Sequence, residues 1–236
     1  MNIFKKITLA SILISALLTA SCNDCVKGEG EPVIKTLVLE SFNAIHLTGS
    51  WGVTVTQGVE QKVEIIAPEN IIHLLNTDIK NNTWDIAFKE CVRTKKIEIN
   101  IITPSIEAIT VTGSGNVKSL NNLNVSQMRI SVAGSGDIDL ILNSREVSTD
   151  ISGSGNVKLS GSATNFVASI TGSGDIEAAD FITLITKIKT IGSGNASIHA
   201  TELVEATITG SGDIKYKDTG AKVISEITGS GEIVKK

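Results

Sequence analysis

The sequence predicts an all-β fold, a β-solenoid with coils of about 19–20 residues and a Gly-Ser-Gly turn in each coil. Three observations support this prediction: a short regular repeat, β-branched residues at fixed places around it, and an alternating polar residue after it. A period this short is typical of architectures in which each unit stacks on its neighbour. Copies of the tripeptide begin at Gly113, Gly134, Gly153, Gly172, Gly192, Gly210 and Gly229.

β-Branched residues flank the tripeptide on both sides, and such residues pack well in strands. Two positions before it stand Val111, Val132, Ile151, Ile170, Ile208 and Ile227. Two positions after its last glycine stand Val117, Ile138, Val157, Ile176, Ala196, Ile214 and Ile233. Glycine supplies the positive φ that tight turns require. Each repeat is therefore expected to run strand, turn, strand, whereas a flexible Gly/Ser linker would carry no such fixed offsets.

The residue directly after the tripeptide forms a column of polar side chains. Its members are Asn116, Asp137, Asn156, Asp175, Asn195, Asp213 and Glu232. Carboxylates in every coil would lie about 4.8 Å apart and repel one another, and alternation with amides roughly halves that cost. An amide can also donate hydrogen bonds to its carboxylate neighbours. A calcium row is the alternative, but hard cations need several oxygens converging on one point. We expect no metal here and regard the column as a candidate binding surface.

Each repeat also divides into two shorter segments, each about half of the period in length. Residues 175–179 alternate, a break follows at Asp180, and residues 183–191 alternate again. This pattern predicts a short strand, a second turn and a longer strand in each coil, and so a flattened solenoid with two main sheets. The fifth unit lacks Thr or Ser before Gly192 and carries the small Ala196, so a local bend is expected there.

The N-terminal 22 residues resemble a bacterial lipoprotein signal. Lys5 and Lys6 precede an apolar stretch over residues 7–18, which is too short to span a bilayer. Small residues then lead to Cys22, the expected site of lipidation. The expected product is a protein anchored by its acyl chains to the bacterial outer membrane, on the cell surface or the periplasmic face. An ordinary secretory signal, cut nearby without lipidation, is the alternative.

The mature chain divides into three parts. Residues 23–32 are polar and form a tether, residues 33–105 are expected to be irregular coils that cap the N-terminal end, and residues 106–236 are the regular repeats of the same domain. We expect no polar cap after the last repeat, and two explanations are open. The charges of Lys235 and Lys236 could discourage further pairing, or another chain could cover this end, which predicts a homo-oligomer. Cys25 and Cys91 are compatible with a disulfide in an exported protein or with free thiols.

Composition excludes several functions. The net charge is −4 and the chain has three arginines, so a nucleic-acid partner is not expected. Aromatic residues make up 3% of the chain, which leaves few side chains on which sugars could stack. His46, His73 and His199 are scattered, and the repeated serines belong to turns without a nearby general base. We therefore expect no catalytic residues, no cofactor and no enzymatic activity.

The chain resembles a known family in its lipoprotein-like start, in its opening segment with Phe42, Ile45, Val53 and Gln57-Gly58, and in the Gly-Ser-Gly-Asn/Asp repeats. This is the family of auto-transporter adhesins called the head GIN domain, and the resemblance covers about residues 33–236. It implies a β-superhelix similar in shape to pectin lyases, a role in adhesion at the surface of Gram-negative bacteria, and trimers like those of trimeric adhesins. It offers no active site to carry over.

The sequence thus predicts a lipid-anchored, extracytoplasmic β-solenoid that binds a glycan or a protein through repeated weak contacts. Two alternatives stay open. One is a carbohydrate-active enzyme of the polysaccharide-lyase type, suggested only by fold analogy. The other is a structural envelope protein without an external ligand.

Overall fold

The computed structural model describes residues 25–94 and 96–236. It is an all-β solenoid of about seven turns, which confirms the predicted fold class. Cys22 and the rest of the signal-like segment lie outside the described residues. Within the described part, no helix is both long enough and apolar enough to cross a membrane.

The N-terminal part contains short strands and one helical turn, α1, over Glu69–Ile72. Its strands are β1 Val26–Lys27, β2 Val33–Leu37, β3 Ala44–Gly49, β4 Gly52–Gln57, β5 Lys62–Ala67, β6 Ile79–Lys80, β7 Thr83–Ile86, β8 Val92–Arg93 and β9 Glu98–Thr103. The repeat part follows with β10 Ala108–Gly113, β11 Asn116–Ser119, β12 Leu123–Gly134, β13 Asp137–Gly153, β14 Val157–Gly172, β15 Ile176–Gly192, β16 Ala196–Gly210, β17 Ile214–Tyr216, β18 Lys222–Gly229 and β19 Ile233–Lys235.

The repeat strands are parallel, and equivalent residues of successive coils lie side by side. The first glycine of each tripeptide pairs with that of the next, from Gly113 through to Gly229. At these glycines φ lies between 113° and 136°, a region that disfavours other residues. A Cβ on Gly153 would meet the carbonyl oxygen of Gly134 in the coil below. Glycine is therefore required both by backbone conformation and by the close approach of neighbouring turns.

The expected second turn separates two strands in the first and last repeats, across residues 120–122 and 217–221, but in the central coils it is not a break in the strand. β13 continues through 17 residues, and Asp180, where a break was predicted, lies inside β15 and pairs with Ser160. Because the neighbouring strands bend at the same place, the hydrogen-bonded pairing can continue around the coil. The pairing shifts register at this place between β14 and β15, and again between β15 and β16. The alternation of residues therefore marked the two sides of a bend in the central coils, and of a turn in the first and last repeats.

The fifth unit carries the irregularity that the sequence indicated. Between β15 and β16 the register shifts twice, once between Glu177 and Ile182 and again between Thr183 and Ile185. Small residues around this region are buried, among them Ala178 and Ala196. Two phenylalanines fill the space inside the coils: the rings of Phe166 and Phe181 meet edge to face at 5.6 Å. The coils thus remain packed although the repeat changes length.

The core is a set of apolar columns that run along the solenoid axis. One column comprises Val111, Val132, Ile151, Ile170, Thr190 and Ile208, all of them buried. Thr190 is the polar member of this column. Its hydroxyl lies in the core without a hydrogen-bond partner in the described part of the chain. The column ends at Ile227, which is 45% exposed because it lies in the last coil.

The N-terminal end is closed by strands of a different arrangement. β3 and β4 form the first coil, since they pair in parallel with β10 and β11. The chain then continues outward, away from the repeats, before β9 returns to pair with β4. β5 pairs antiparallel with both β9 and β2. These antiparallel strands cover the end of the core.

Candidate functional site

The polar column after the tripeptides forms a hydrogen-bonded ladder along one corner of the solenoid. In each step, the side-chain oxygen of one residue accepts the backbone N–H of its equivalent in the next coil. The N···O distances for successive pairs are 3.2 Å (Asn116–Asp137), 3.0 Å (Asp137–Asn156), 3.0 Å (Asn156–Asp175), 2.7 Å (Asp175–Asn195), 3.0 Å (Asn195–Asp213) and 3.0 Å (Asp213–Glu232). Only Asn and Asp place an oxygen at this distance from their own backbone, which explains the residue types.

The alternation has a second consequence in the ladder. The Asn156 amide donates to the Asp137 carboxylate at 2.9 Å, and the Asn195 amide donates to Asp175 at 3.1 Å. Each such asparagine lies between two aspartates of the column, so that these carboxylates are two coils apart and not in adjacent coils. Glu232 departs from the pattern: its backbone N–H donates to Asp213, and within the described residues its side chain accepts no N–H from another coil.

The ladder leaves limited capacity for a ligand. One oxygen of each aspartate from Asp137 to Asp213 already accepts backbone N–H groups, which makes the column primarily a structural feature. The remaining oxygens face solvent in a single row. Among residues 25–94 and 96–236, no group of three or more His, Cys, Asp or Glu residues could hold a metal ion.

A shallow groove of about 660 Å³ lies on the outer face of the sheet that leads into the corner. Two adjacent columns of side chains line it across successive coils. The first column is Gln127, Glu146, Asn165 and Ile185, and the second is Arg129, Ser148, Val167 and Lys187. Asn43, Thr83 and Glu107 extend the lining toward the N-terminal coils.

Sequence reasoning missed this groove, although its signal was present. The two columns stand seven and five positions before the first glycine of each tripeptide. They alternate with the buried Met128, Val147 and Phe166. Their residue types vary from coil to coil, whereas those of the corner column are regular.

The charges in the groove are partly neutralised. Glu146 pairs with Arg145 at 3.7 Å and accepts a hydrogen bond from the Gln127 amide at 3.2 Å. Lys187 pairs with Glu205 at 2.8 Å. Arg129 has no ion-pair partner within the described residues. Its guanidinium is a fork of donors suited to a carboxylate or another planar anion.

The aromatic side chains that sugars could use for stacking are engaged elsewhere. Trp84 is buried in the N-terminal coils and donates to the Asn76 carbonyl at 3.0 Å. Trp51 packs edge to face on Phe88 with ring centres 5.1 Å apart. Tyr216 is half-buried against the core. A ligand in the groove would therefore meet polar and aliphatic groups.

A second cluster that the sequence did not reveal surrounds His46. Its Nε2 lies 2.9 Å from the Thr112 hydroxyl, and its Nδ1 lies 3.5 Å from an Asp85 oxygen. Hydroxyl, imidazole and carboxylate in this order are the parts of a nucleophilic triad. Acyl transfer also needs free donors for a developing oxyanion. The nearby Ser114 N–H already donates to the Gly49 carbonyl, so the cluster is better explained as a set of cross-strand polar contacts.

The structure joins Cys25 to Cys91 through a disulfide bond that spans 66 residues of sequence. The bond attaches the start of the described chain to the N-terminal coils, where β1 pairs with β8.

Comparison with known proteins identifies the family of this chain and solved structures with a similar fold. A family model described as "putative auto-transporter adhesin, head GIN domain" matches residues 41–220. A search of curated proteins finds no match. Among solved structures, a "putative adhesin" from Bacteroides fragilis NCTC 9343 is 27% identical, with a TM-score of 0.82 over 89% of this chain and 100% of that one.

Two further solved structures are similar. A "putative adhesin" from Parabacteroides merdae ATCC 43184 is 26% identical, with a TM-score of 0.73 over 89% of this chain and 99% of that one. A "putative lipid binding protein" from Parabacteroides distasonis ATCC 8503 is 23% identical, with a TM-score of 0.74 over 90% of this chain and 100% of that one, a likeness of fold. With the Gly-Ser-Gly solenoid and a family match over residues 41–220, this chain belongs to the auto-transporter adhesin, head GIN domain family.

Proposed function

We propose that the protein is a non-enzymatic adhesin whose groove binds an acidic glycan. The observation that carries the proposal is the pair of outward columns across four coils, which surround the unpaired Arg129 with amide, hydroxyl and carboxylate groups. The adhesin family and its solved relatives support the general role. Contacts to several coils at once would add up to useful affinity although each contact is weak.

A glycan fits the groove better than an extended peptide does. Peptides that bind to sheets usually add a strand at a free edge, where backbone groups are available. The floor of this groove is the face of a sheet whose strands pair on both sides, from β12 to β16. Only side chains are offered to a ligand there, and Gln127, Asn165 and Ser148 are suited to sugar hydroxyls. Arg129 then supplies the charge that selects an acidic sugar.

The groove also argues against a lipid ligand. A lipid-binding role is suggested by the name of the Parabacteroides distasonis relative. An acyl chain needs an enclosed, mainly apolar cavity. Here most lining side chains are polar, and the groove is open along the outer face of the solenoid.

We further propose that the protein is lipid-anchored at Cys22 and faces outward from the outer membrane. Three observations support this location: the signal-like segment before Cys22, the Cys25–Cys91 disulfide, and the adhesin family. Disulfides persist in oxidising compartments outside the cytosol. Metabolic labelling with palmitate should mark the wild-type protein but not Cys22→Ser. Protease treatment of intact cells should degrade the protein, and protection would contradict an adhesive role and favour a structural envelope protein.

The binding proposal is tested on an array of acidic and neutral glycans. We expect retention of acidic glycans by the wild type and an apparent affinity at least about tenfold lower for Arg129→Ala, because a charge-assisted contact is lost. Lys118→Ala is the matched control, since it removes one exposed cation from another face. Equal binding by the wild type and Arg129→Ala would contradict the proposal. Shortening of the glycan on incubation would instead support the enzyme alternative.

A further inference from the structure

The last coil of the solenoid has an open edge. β18 pairs with β16 on one side, and its other side has no strand partner in the described part of the chain. Its side chains are correspondingly exposed: Ile224 is 49% and Ile227 45% accessible, whereas Ile208, the equivalent of Ile227 one coil earlier, is fully buried. An unpaired edge with apolar side chains is a template for another strand.

The usual protections of an edge strand are incomplete here: β18 carries two charged side chains, but these are one base and one acid, Lys222 and Glu226. Proteins discourage edge pairing with proline, bulges or uncompensated charge. β18 contains no proline, and it holds a regular register with β16 over its whole length. The nearby Lys235 is neutralised, since its ammonium lies 2.6 Å from an Asp218 oxygen. This contact raises the pKa of Lys235 and lowers the pKa of Asp218, so both groups are charged at neutral pH.

The sequence of β18 is self-complementary in one antiparallel register. On its outer face stand Lys222, Ile224 and Glu226, with Ile224 in the middle. Neither Lys222 nor Glu226 makes an ion pair with any described residue. If a second copy pairs antiparallel about Ile224, each Lys222 faces a Glu226 and the two Ile224 side chains face each other. Opposite charges and apolar pairs placed in this way stabilise a sheet.

We propose that the protein forms a twofold-symmetric dimer, with β18 of one copy paired antiparallel to β18 of a second copy about Ile224. The twofold axis is normal to the sheet, so the inward residues Val223, Ser225 and Ile227 of both copies stay on the core side. The neighbouring register, centred on Ser225, would place Ile224 opposite Glu226 and lose both charge pairs. A twofold interface repeats every contact, which doubles the effect of each favourable pair.

A second copy is the occupant that this edge favours, because the edge complements itself. A partner of another sequence would have to carry the matching order of acid, apolar and base residues. The dimer would join two solenoids end to end. If the groove binds a glycan as proposed above, the dimer presents two grooves to one polymer, but the pairing itself does not depend on that function.

Charge reversal tests the pairing and its register. Sedimentation velocity of the full chain, over a range of concentrations, should show a monomer–dimer equilibrium. Lys222→Glu and Glu226→Lys should each raise the dissociation constant about tenfold or more, since two attractive pairs become repulsive. The double variant, Lys222→Glu with Glu226→Lys, should restore wild-type association. Circular dichroism of each variant checks that the fold is kept.

A cysteine at the symmetry axis gives an independent test. Ile224→Cys should form a disulfide-linked dimer under mild oxidation, seen on a non-reducing gel. Val167→Cys is the matched control, because Val167 is similarly exposed at 51% but lies in the middle of the solenoid. Monomer alone at every concentration, a trimer, or a dimer that ignores both charge reversals would overturn the proposal. A dimer without the Ile224→Cys cross-link would overturn the register.

Discussion

The two regions of the protein, the regular coils and the N-terminal part, are stabilised by different contacts. The regular coils over residues 106–236 hold together by strict register, with glycine above glycine and Asn or Asp above Asp or Asn. The N-terminal part holds together through larger side chains, antiparallel strands and the Cys25–Cys91 bond. A repeated unit can therefore be stabilised by small identical contacts, whereas a unit with no neighbour on one side needs a different and irregular closure.

The largest expected effect comes from the Gly-Ser-Gly turns that hold the repeat part in register. Gly153→Ala should lower the free energy of unfolding by about 3–5 kcal/mol, because a Cβ would meet the Gly134 carbonyl and φ is 128°. Gly52→Ala, at the N-terminal corner, is the control and should be nearly neutral, since a Cβ there meets nothing within 4 Å. Chemical denaturation measures both. Similar effects for the two variants would contradict the close approach of neighbouring turns as the cause.

The Cys25–Cys91 disulfide should stabilise the N-terminal part alone. Replacing Cys25 and Cys91 together with serine should lower the free energy of unfolding by about 2–4 kcal/mol, because the bond closes a loop of 66 residues. Hydrogen exchange should then quicken in β1–β9 while β13–β16 keep their protection. Uniform loss of protection along the whole chain would show that the two regions unfold as one unit.

A smaller effect is expected in the ladder. Asn156→Asp should lower the free energy of unfolding by about 2 kcal/mol, because it places three carboxylates in adjacent coils and removes the amide that donates to Asp137. Part of this loss should be recovered in high salt, which screens the charges. Glu232→Ala is the control, since its side chain supports no further coil. A loss that salt does not change would rule out repulsion as the cause.

The smallest expected effect is a gain in stability. Thr190→Val should raise the free energy of unfolding by about 1 kcal/mol, because the buried hydroxyl has no hydrogen-bond partner in the described part of the chain. The change restores the β-branched apolar residue found in this column in most other coils. Thermal unfolding measures the gain. A destabilised variant would indicate that the hydroxyl is satisfied in solution.

Much of the fold could be predicted from the repeat. The tripeptide spacing identified the coils, and the β-branched columns identified the residues that face the core, from Val111 to Ile208. The second turn at Asp180 was wrong for that coil, because β15 bends there and keeps its pairing with β14 through a register shift, with Asp180 opposite Ser160. The lipid anchor at Cys22 and the division into tether, cap and repeats stay predictions.

The candidate site was less accessible to sequence reasoning. The corner column attracted notice because its residues are regular, and its regularity arises from the hydrogen bonds between coils. The groove residues around Arg129 vary in type from coil to coil, so only their fixed positions before the tripeptide mark them in the sequence. Their proximity follows only after the register between coils is known.

By itself the sequence determined the coil, its period and its inward face, because the repetition of glycine and β-branched residues acts locally in every unit. Tertiary structure decided which outward residues meet, how the N-terminal strands turn back over the first coil, and which edge stays open. These features depend on contacts between residues 19 or more positions apart, as in the pairing of Gln127 with Glu146 and of Ile45 with both Trp84 and Ile109. Such contacts are set by how the coils stack and not by any local pattern.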